Sequence, residues 1–507
     1  MSEKPSAEPT PTRPDDRLQL IVSLAISGDF AAAAAAVRGL TDKVVARDAW
    51  RRLSEMNANL QRWDEAVSDI ENALQNDPDS RQLRLERALL LEQQGNDRAA
   101  LAEFQALARE SCGPPLLLVH LAAQLSCAGR TDEAEALLVE GLTRSPADAA
   151  LHKQLARLRW QRGAGLGAMR EIMHAIERQP RELHLRLVAA ELLRDAGDAG
   201  QALGLLERGL ELAPGSAAFL TSIGVLLQGM NRTCEALPYL RRANENAPRS
   251  VAARRNLVPA LLRTGAPIEA RARCDELLAQ FPDDQMLIAQ RATALRLLDD
   301  EEYRRLYDYP RLVKTFTLRP EAPYANIAEF NLAFARALTP LHRAAQHPLE
   351  QSVRGGSQTE RHLPRTNPAV AAFFAMIEAP IRQYIADLNA ADNSHPLDRR
   401  KHADYRIAGS WSVQLRPGGF HLDHVHPRGW LSSAYYIALP GSSAAEPRGG
   451  WLKFGESGLD IAGCSAEHFI EPAEGMLVLF PSYMWHGTVP FTTDGARLTA
   501  AFDVVPA

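Results

Sequence analysis

The sequence predicts a multidomain α + β chain: an N-terminal all-α superhelix of repeated helical hairpins, then a C-terminal double-stranded β-helix, or jelly roll. Three observations predict it. A 34-residue period runs through most of the first 300 residues, that period then stops, and from Gly409 the texture changes to short β-type runs between turns. The boundaries that follow are a tail over 1–15, a repeat array over 16–300, a helical junction over 301–400 and a β core over 401–507.

The repeat array rests on three phases of one period. Ala66, Ala100, Ala134, Ala168, Ala202, Ala236 and Ala270 keep the first without a gap. Pro78, Pro146, Pro180, Pro214, Pro248 and Pro282 keep the second, with Cys112 at the one gap and Pro114 two residues on. Gly95, Gly129, Gly163, Gly197 and Gly265 keep the third, with Asn231 at its gap. Each residue type suits one place in a helical hairpin. Glycine, or asparagine in its stead, takes the left-handed turn after the first helix. Alanine lets the second helix approach the first, and proline closes the unit because it cannot continue a helix. The run Gly163-Ala-Gly165-Leu-Gly167-Ala168 imitates part of a dinucleotide fingerprint, but it follows a helix, and that fingerprint needs a strand before it.

Period and residue types together resemble tetratricopeptide repeats over roughly 47–284, with a weaker helical pair at 16–46 and a closing helix at 285–298. The resemblance implies a groove that binds a protein or peptide partner. A spacer or a self-association element is the alternative for the same array.

The junction, 301–400, carries Tyr303, Tyr307, Tyr309 and Pro310, then helices expected at 326–340 and 368–388. The polar, glycine-containing stretch from Pro348 to Thr359 has two readings, a lid reaching into a site or a surface loop packed on the sheet, and the second, which leaves it outside the site, is preferred.

The β core is expected to hold about eight strands. Trp411–Leu415, Leu431–Leu439, Gly450–Phe454, Phe469–Glu471, Met476–Phe480, Gly487–Phe491 and Leu498–Val505 are the runs, with Thr493-Asp494-Gly495 read as a hairpin turn joining the last two. Three constellations fall on them. The first is Gly419-Phe-His421-Leu-Asp423-His424-Val-His426-Pro427, in which residues two apart share a side if the segment is a strand. The second is Phe480-Pro-Ser-Tyr-Met-Trp-His486, and the third is Arg497-Leu-Thr499.

This set resembles the Fe(II)- and 2-oxoglutarate-dependent dioxygenases, and within them a bacterial and phage group. That group reads His-x-His-Pro, then a Ser-x-x-Tyr-Tyr strand, then Phe-Pro-Ser before the last histidine; here these are His424–Pro427, Ser432–Tyr436 and Phe480–His486. The resemblance covers about 405–506. It implies that His424, His426 and His486 hold Fe(II), and that Arg497 with Thr499 receives the distal carboxylate of 2-oxoglutarate, a task for which a planar guanidinium is suited. The pair His421 and Asp423 would restore the commoner His-x-Asp set, and both pairs stay open at this point. The implied reaction spends O2 and 2-oxoglutarate to hydroxylate a substrate C–H bond, with no catalytic side chain required beyond the metal ligands. Two rival readings remain: a cupin-type three-histidine metal protein that does not use 2-oxoglutarate, and a non-catalytic repeat scaffold with a degenerate β domain. Trp411, Gln414, Tyr435 and Trp451 are candidates to line the pocket, whereas His362, His395 and His402 lack ligand-spaced partners and read as surface or structural residues.

Composition narrows the setting. A chain of 507 residues exceeds one ordinary core, and 46% hydrophobic with 23% charged residues is a globular balance. A net charge of −5 gives no broad basic surface for nucleic acid or anionic membrane. Five cysteines, odd in number and without a CxxC pair, read as small buried residues in a reducing compartment. The opening MSEKPSAEPTPTRPDD has no apolar signal core and reads as a disordered tail. No apolar run approaches the ~20 residues that cross a bilayer. The expected location is the cytoplasm, with no nucleic-acid or membrane partner.

Overall fold

The computed structural model describes residues 14–60, 62–110, 113–342, 349, 351–359, 362–441 and 444–506. Most of the 1–15 tail, Cys112 and Pro348 therefore lie outside the described residues. The chain divides by compactness at Ala134 and Glu135, inside helix Thr131–Arg144, rather than where the composition changes.

In the first unit, helices Pro14–Ile26 and Phe30–Arg38 precede Lys43–Asn59 and Trp63–Asn76, and the pairing continues through Arg81–Gln94 and Asp97–Glu110. The second unit continues it from Ala149–Gln161 to the closing helix Gln285–Leu297. All three phases do the work their chemistry suggests. Gly95, Gly129, Gly163, Gly197, Gly265 and Asn231 all have φ between 60° and 91°. The seven phased alanines are all buried, six of them completely. A fourth phase went unread in the sequence. Ser80, Asp148, Ser216, Ser250 and Asp284, spaced in multiples of 34 residues, each cap a first helix by accepting from the backbone N–H three residues on. The glycine-rich run at 163–168 forms a turn and a short 3-10 segment after helix Ala149–Gln161, in keeping with its repeat role.

Nine strands follow the repeats among the described residues: β1 Lys314–Thr317, β2 Val353–Gln358, β3 Tyr405–His421, β4 Leu431–Ala438, β5 Leu452–Phe454, β6 His468–Ile470, β7 Met476–Pro481, β8 His486–Thr488 and β9 Arg497–Pro506. Six form one antiparallel sheet in the order β1-β7-β4-β9-β3-β2, and three form a smaller one, β6-β5-β8. Three expectations need correction. The stretch from Pro348 to Thr359 is not a surface loop, because its middle is β2, the edge strand paired with β3. The Thr493-Asp494-Gly495 turn does not close a hairpin, because β8 pairs with β5 in the small sheet and β9 with β3 and β4 in the large one. Of the four described cysteines, Cys274 and Cys464 are buried as expected, but Cys127 and Cys234 are exposed.

Alternation along β9 explains the layering. Leu498, Ala500, Phe502 and Val504 enter a core shared with helices Ile327–Leu338 and Pro368–Asp387. Arg497, Thr499 and Ala501 face the other way, into a pocket between the two sheets. Helix Pro368–Asp387 is long and apolar enough by composition to cross a membrane, contrary to the sequence reading. Its Phe373, Ile377, Ile381 and Tyr384 are buried in this core. The same core takes Ile288, Ala289, Ala292 and Leu295 from the closing repeat helix. That helix also bonds the segment between β5 and β6: the Arg296 guanidinium donates to the Gly455 and Ser465 carbonyls at 2.9 and 3.0 Å.

Candidate metal centre

β3 ends at His421, and the chain then leaves the ladder; an isolated bridge pairs His424 with His486. That bridge is two backbone bonds, His424 N–H to the His486 carbonyl at 2.9 Å and the reverse at 3.1 Å. It sets two chain segments side by side although they lie sixty residues apart. The ring centroids of His424 and His486 are 4.3 Å apart, those of His426 and His486 5.0 Å, and those of His424 and His426 5.1 Å. One nitrogen from each ring lies within 4.8 Å of the others.

The remaining nitrogens fix which edge points inward. His424 Nδ1 is 2.8 Å from the Leu422 carbonyl, His486 Nδ1 2.9 Å from the Met484 carbonyl, and His426 Nδ1 2.6 Å from Asp503 Oδ1. An acceptor at each Nδ1 takes its N–H, which leaves every Nε2 a bare lone pair. His424 Nε2 and His426 Nε2 are then only 3.2 Å apart. Two lone pairs at that separation repel unless a cation lies between them, so the donor set fits a bound metal ion. Burial, and after it the neighbouring His426, push the His424 pKa down to about 3, and His486 is held well below the ordinary range for the same reason. Neutral imidazole is the ligand form.

Asp503 is itself held. It accepts from the Ser432 hydroxyl at 2.7 Å, and Ser432 pairs with the Ser482 hydroxyl at 2.8 Å. Gly429 lies against this pair so closely that a Cβ there would sit 2.2 Å from Ser482 Oγ. The serines of the Ser-x-x-Tyr-Tyr and Phe-Pro-Ser runs thus orient the carboxylate that orients His426.

Arg497 is buried in the same pocket, whose roughly 450 Å³ of space is partly open to solvent and is also lined by His421, Trp411, Leu452, Phe480 and Thr499. Its Nε donates to the Gly450 carbonyl at 3.1 Å, and its guanidinium stands 5.0 Å from the Tyr436 ring. Among the described residues no carboxylate pairs with it, and burial holds its pKa below the ordinary value. The Tyr436 hydroxyl lies buried beside it and interacts with its guanidinium, and the same burial raises the phenol's pKa. A buried guanidinium that no carboxylate of the described residues meets, with a phenol beside it, fits a carboxylate ligand, because a guanidinium out of water is costly until an anion meets it.

The two proposed ligand pairs separate here. His424 and His426 meet His486, whereas Asp423 turns away to Lys453 Nζ at 2.8 Å. His421 nonetheless lines the pocket, because strand parity lapses where β3 ends. Thr499 lines it too, its hydroxyl 3.5 Å from the Val413 carbonyl. Of the candidates to line the pocket, Trp411 does so, its ring 5.4 Å from that of His426 and tilted by 41°. Gln414, Tyr435 and Trp451 do not line it. Tyr435 points to the helical layer, where its hydroxyl donates to Asn331 at 2.6 Å. Its neighbour Tyr436 lies against Arg497. His395 is structural, fully buried 2.9 Å from Asp398, and His402 bonds locally to Asp404. Sequence reasoning missed Asp503, Tyr436 and Ser352; alternation from Arg497 and Thr499 pointed to the first, and nothing in the motifs pointed to the last.

Fold and site together define a class: a helical-repeat protein whose β domain gathers three histidines beside a buried, unpaired arginine. The family comparison is narrower. Residues 409–503 match the family described as a putative 2OG-Fe(II) oxygenase, and residues 19–74, 58–113 and 221–285 match the tetratricopeptide repeat. The chain thus carries N-terminal tetratricopeptide repeats and, at 409–503, a domain that matches the putative oxygenase family. It is 32% identical over 107 residues to cellulose synthase operon protein C of Pseudomonas fluorescens (strain SBW25), a stretch that is 21% of this chain and 8% of that protein. The chain thus spans under a tenth of that curated relative. Among solved structures, a tetratricopeptide repeat protein from Parabacteroides merdae is similar at 17% identity, covering 48% of this chain and 97% of its own, with a TM-score of 0.33. A thermophilic TPR protein of Thermus thermophilus is similar at 26% identity, covering 36% and 100%, with a TM-score of 0.28.

Proposed function

We propose that the chain is an Fe(II)- and 2-oxoglutarate-dependent dioxygenase that hydroxylates a protein or peptide captured by its repeats. The observation that carries this reading is the convergence of three Nε2 lone pairs, from His424, His426 and His486, in a pocket that also holds a buried Arg497 with no carboxylate partner among the described residues. Bound iron with 2-oxoglutarate and O2 supplies the oxidising power for a C–H bond. The protein's part is to hold and to exclude. His424, His426 and His486 present their Nε2 atoms, Asp503 holds the orientation of His426, and Arg497 with the Tyr436 hydroxyl and Thr499 receives the dicarboxylate. Trp411, Leu452 and Phe480 line the pocket with apolar surface that keeps water from the reacting centre.

The test is anaerobic titration with Fe(II) and 2-oxoglutarate, followed by succinate release on admission of O2. Joint binding with a visible charge-transfer band supports the reading, and succinate formed without iron overturns it. An all-imidazole set also suits a cupin-type metal protein that uses no 2-oxo acid, and Arg497 separates the two. Metal binding that 2-oxoglutarate does not alter selects the cupin-type reading.

A further inference from the structure

Two polar side chains beside the histidine cluster, His421 and Ser352, have no part in the assignments made above. His421 closes β3, and Ser352 stands immediately before β2. Ser352 Oγ is 3.0 Å from His421 Nδ1 and 3.4 Å from His424 Nε2, the nitrogen that faces the other two rings. No other hydroxyl of the described residues bonds that inward edge of the cluster. The hydroxyls of Ser432 and Ser482 serve Asp503, and that of Thr499 bonds a main-chain carbonyl.

The backbone is bent to achieve this. The β2–β3 register shifts between Arg354 and Gly356, and Gly355 sits at a φ of 64° against Gly418 and Gly419. A Cβ on Gly355 would lie 2.8 Å from the Gly419 Cα, and one on Gly419 would lie 2.7 Å from the Gly355 carbonyl oxygen. Such a bulge re-aims the side chains beyond it. Beyond it, Leu422 N–H donates to the Ser352 carbonyl at 2.9 Å, which locks Ser352 beside the residues after His421. The glycine bulge therefore delivers a hydroxyl from the sheet edge to the metal-facing side of His424, with an imidazole behind it.

We infer that Ser352, oriented by His421, is an outer-sphere positioning residue of the metal centre: its hydroxyl hydrogen-bonds a non-protein ligand that completes the coordination of the ion. The Ser352 hydroxyl is at once donor and acceptor, so it serves a bound water or an anionic oxygen ligand. His421 fixes its direction through Nδ1, as outer partners fix the ligands of metal sites generally. The inference rests on the function proposed above.

The experiment uses the full chain loaded with Co(II), whose visible d–d bands report coordination without turnover. Wild type, Ser352→Ala, Ser352→Thr, His421→Leu and His421→Asn are titrated with Co(II) and their spectra compared. The Ser352→Ala protein keeps the main-chain bond to Leu422, so the local fold is retained. The expected result is stoichiometric Co(II) binding in every variant, with shifted d–d bands and about tenfold weaker affinity in Ser352→Ala and His421→Leu. Ser352→Thr and His421→Asn, which keep a hydrogen-bonding group, are expected to restore the wild-type spectrum. Spectra and affinities unchanged in Ser352→Ala and His421→Leu overturn this inference and leave the proposed function standing. Loss of fold in His421→Leu leaves the decision to Ser352→Ala. Failure of the wild-type chain to bind Co(II) overturns both this inference and the function beneath it.

Discussion

Asp503 illustrates how one residue controls a site that it does not join. Its carboxylate, 2.6 Å from His426 Nδ1 and 2.7 Å from Ser432 Oγ, accepts from both, which settles the tautomer of that imidazole. Asp503→Asn keeps the shape but offers an amide that can present either end, so the ring loses its fixed acceptor. Loss of such a partner costs about 10–100-fold in metal affinity, and Mn(II) titration by calorimetry should read a drop of that size. Arg497 gives a second outcome at this scale. Arg497→Met removes a buried charge that has no carboxylate partner among the described residues and keeps most of the side-chain volume. The expected protein melts no lower than wild type without ligand, yet gains no thermal stability from added 2-oxoglutarate. Retained stabilisation by 2-oxoglutarate in Arg497→Met would show that the dicarboxylate binds elsewhere. Both residues were within reach of the sequence to different degrees. Arg497 stood in a motif. Asp503 needed the alternation of β9 carried four residues past Thr499, and Tyr436 needed the right parity on β4. The choice between Asp423 and His426 was not legible, because it turns on where β3 stops, and no residue type marks that end.

Strand β2 is the element that the sequence concealed. Its residues, Val353-Arg-Gly-Gly-Ser-Gln358, lack the alternation of apolar side chains that marks a strand, and two glycines suggest a loop. Pairing with β3 supplies what local propensity does not, and the glycines turn out to form the bulge against Gly418 and Gly419. A histidine fastens this edge. His342 lies between the Ser357 hydroxyl of β2 and the Ser412 hydroxyl of β3, 3.0 Å from each. Burial pushes its pKa down to about 4, against 6.5 for a free imidazole. The folded state therefore binds the proton more weakly than the unfolded chain does. Its contribution is fully present above pH 6.5 and is lost as the pH falls from 6.5 toward 4, on the order of 3 kcal/mol in all. His342→Gln, which can still meet both hydroxyls but does not titrate, should lose less stability than wild type between pH 7.5 and pH 5. Urea unfolding at the two pH values measures the difference. Equal losses in the two proteins would mean that His342 is solvated and the β2 edge open.

At the scale of the whole molecule, the repeats and the β core are not parted where their sequence textures part. The 34-residue period, the glycine turns and the buried alanines were readable because each hairpin repeats one local solution, and composition placed the change near residue 300. Packing places it differently. Ile288, Ala289, Ala292 and Leu295 of the closing repeat helix lie in one core with Phe334, Phe373, Tyr435 and Phe480. Thr293 of that helix accepts from the Trp485 indole at 3.1 Å, and the Tyr307 hydroxyl accepts from Trp485 N–H at 3.0 Å. Trp485 immediately precedes His486, so the closing helix and the tyrosines after it steady the turn that presents the third histidine. A chain cut to residues 301–507 exposes this apolar face and frees that turn; it is expected to aggregate or to bind Mn(II) at least tenfold more weakly. A chain of residues 130–507, cut at the turn before helix Thr131–Arg144, keeps the closing helix and every residue of the site, and is expected to bind Mn(II) as the full chain does. Metal titration with circular dichroism on the two fragments distinguishes the cases, and wild-type affinity in the shorter one would show that the β core stands without the repeat helix.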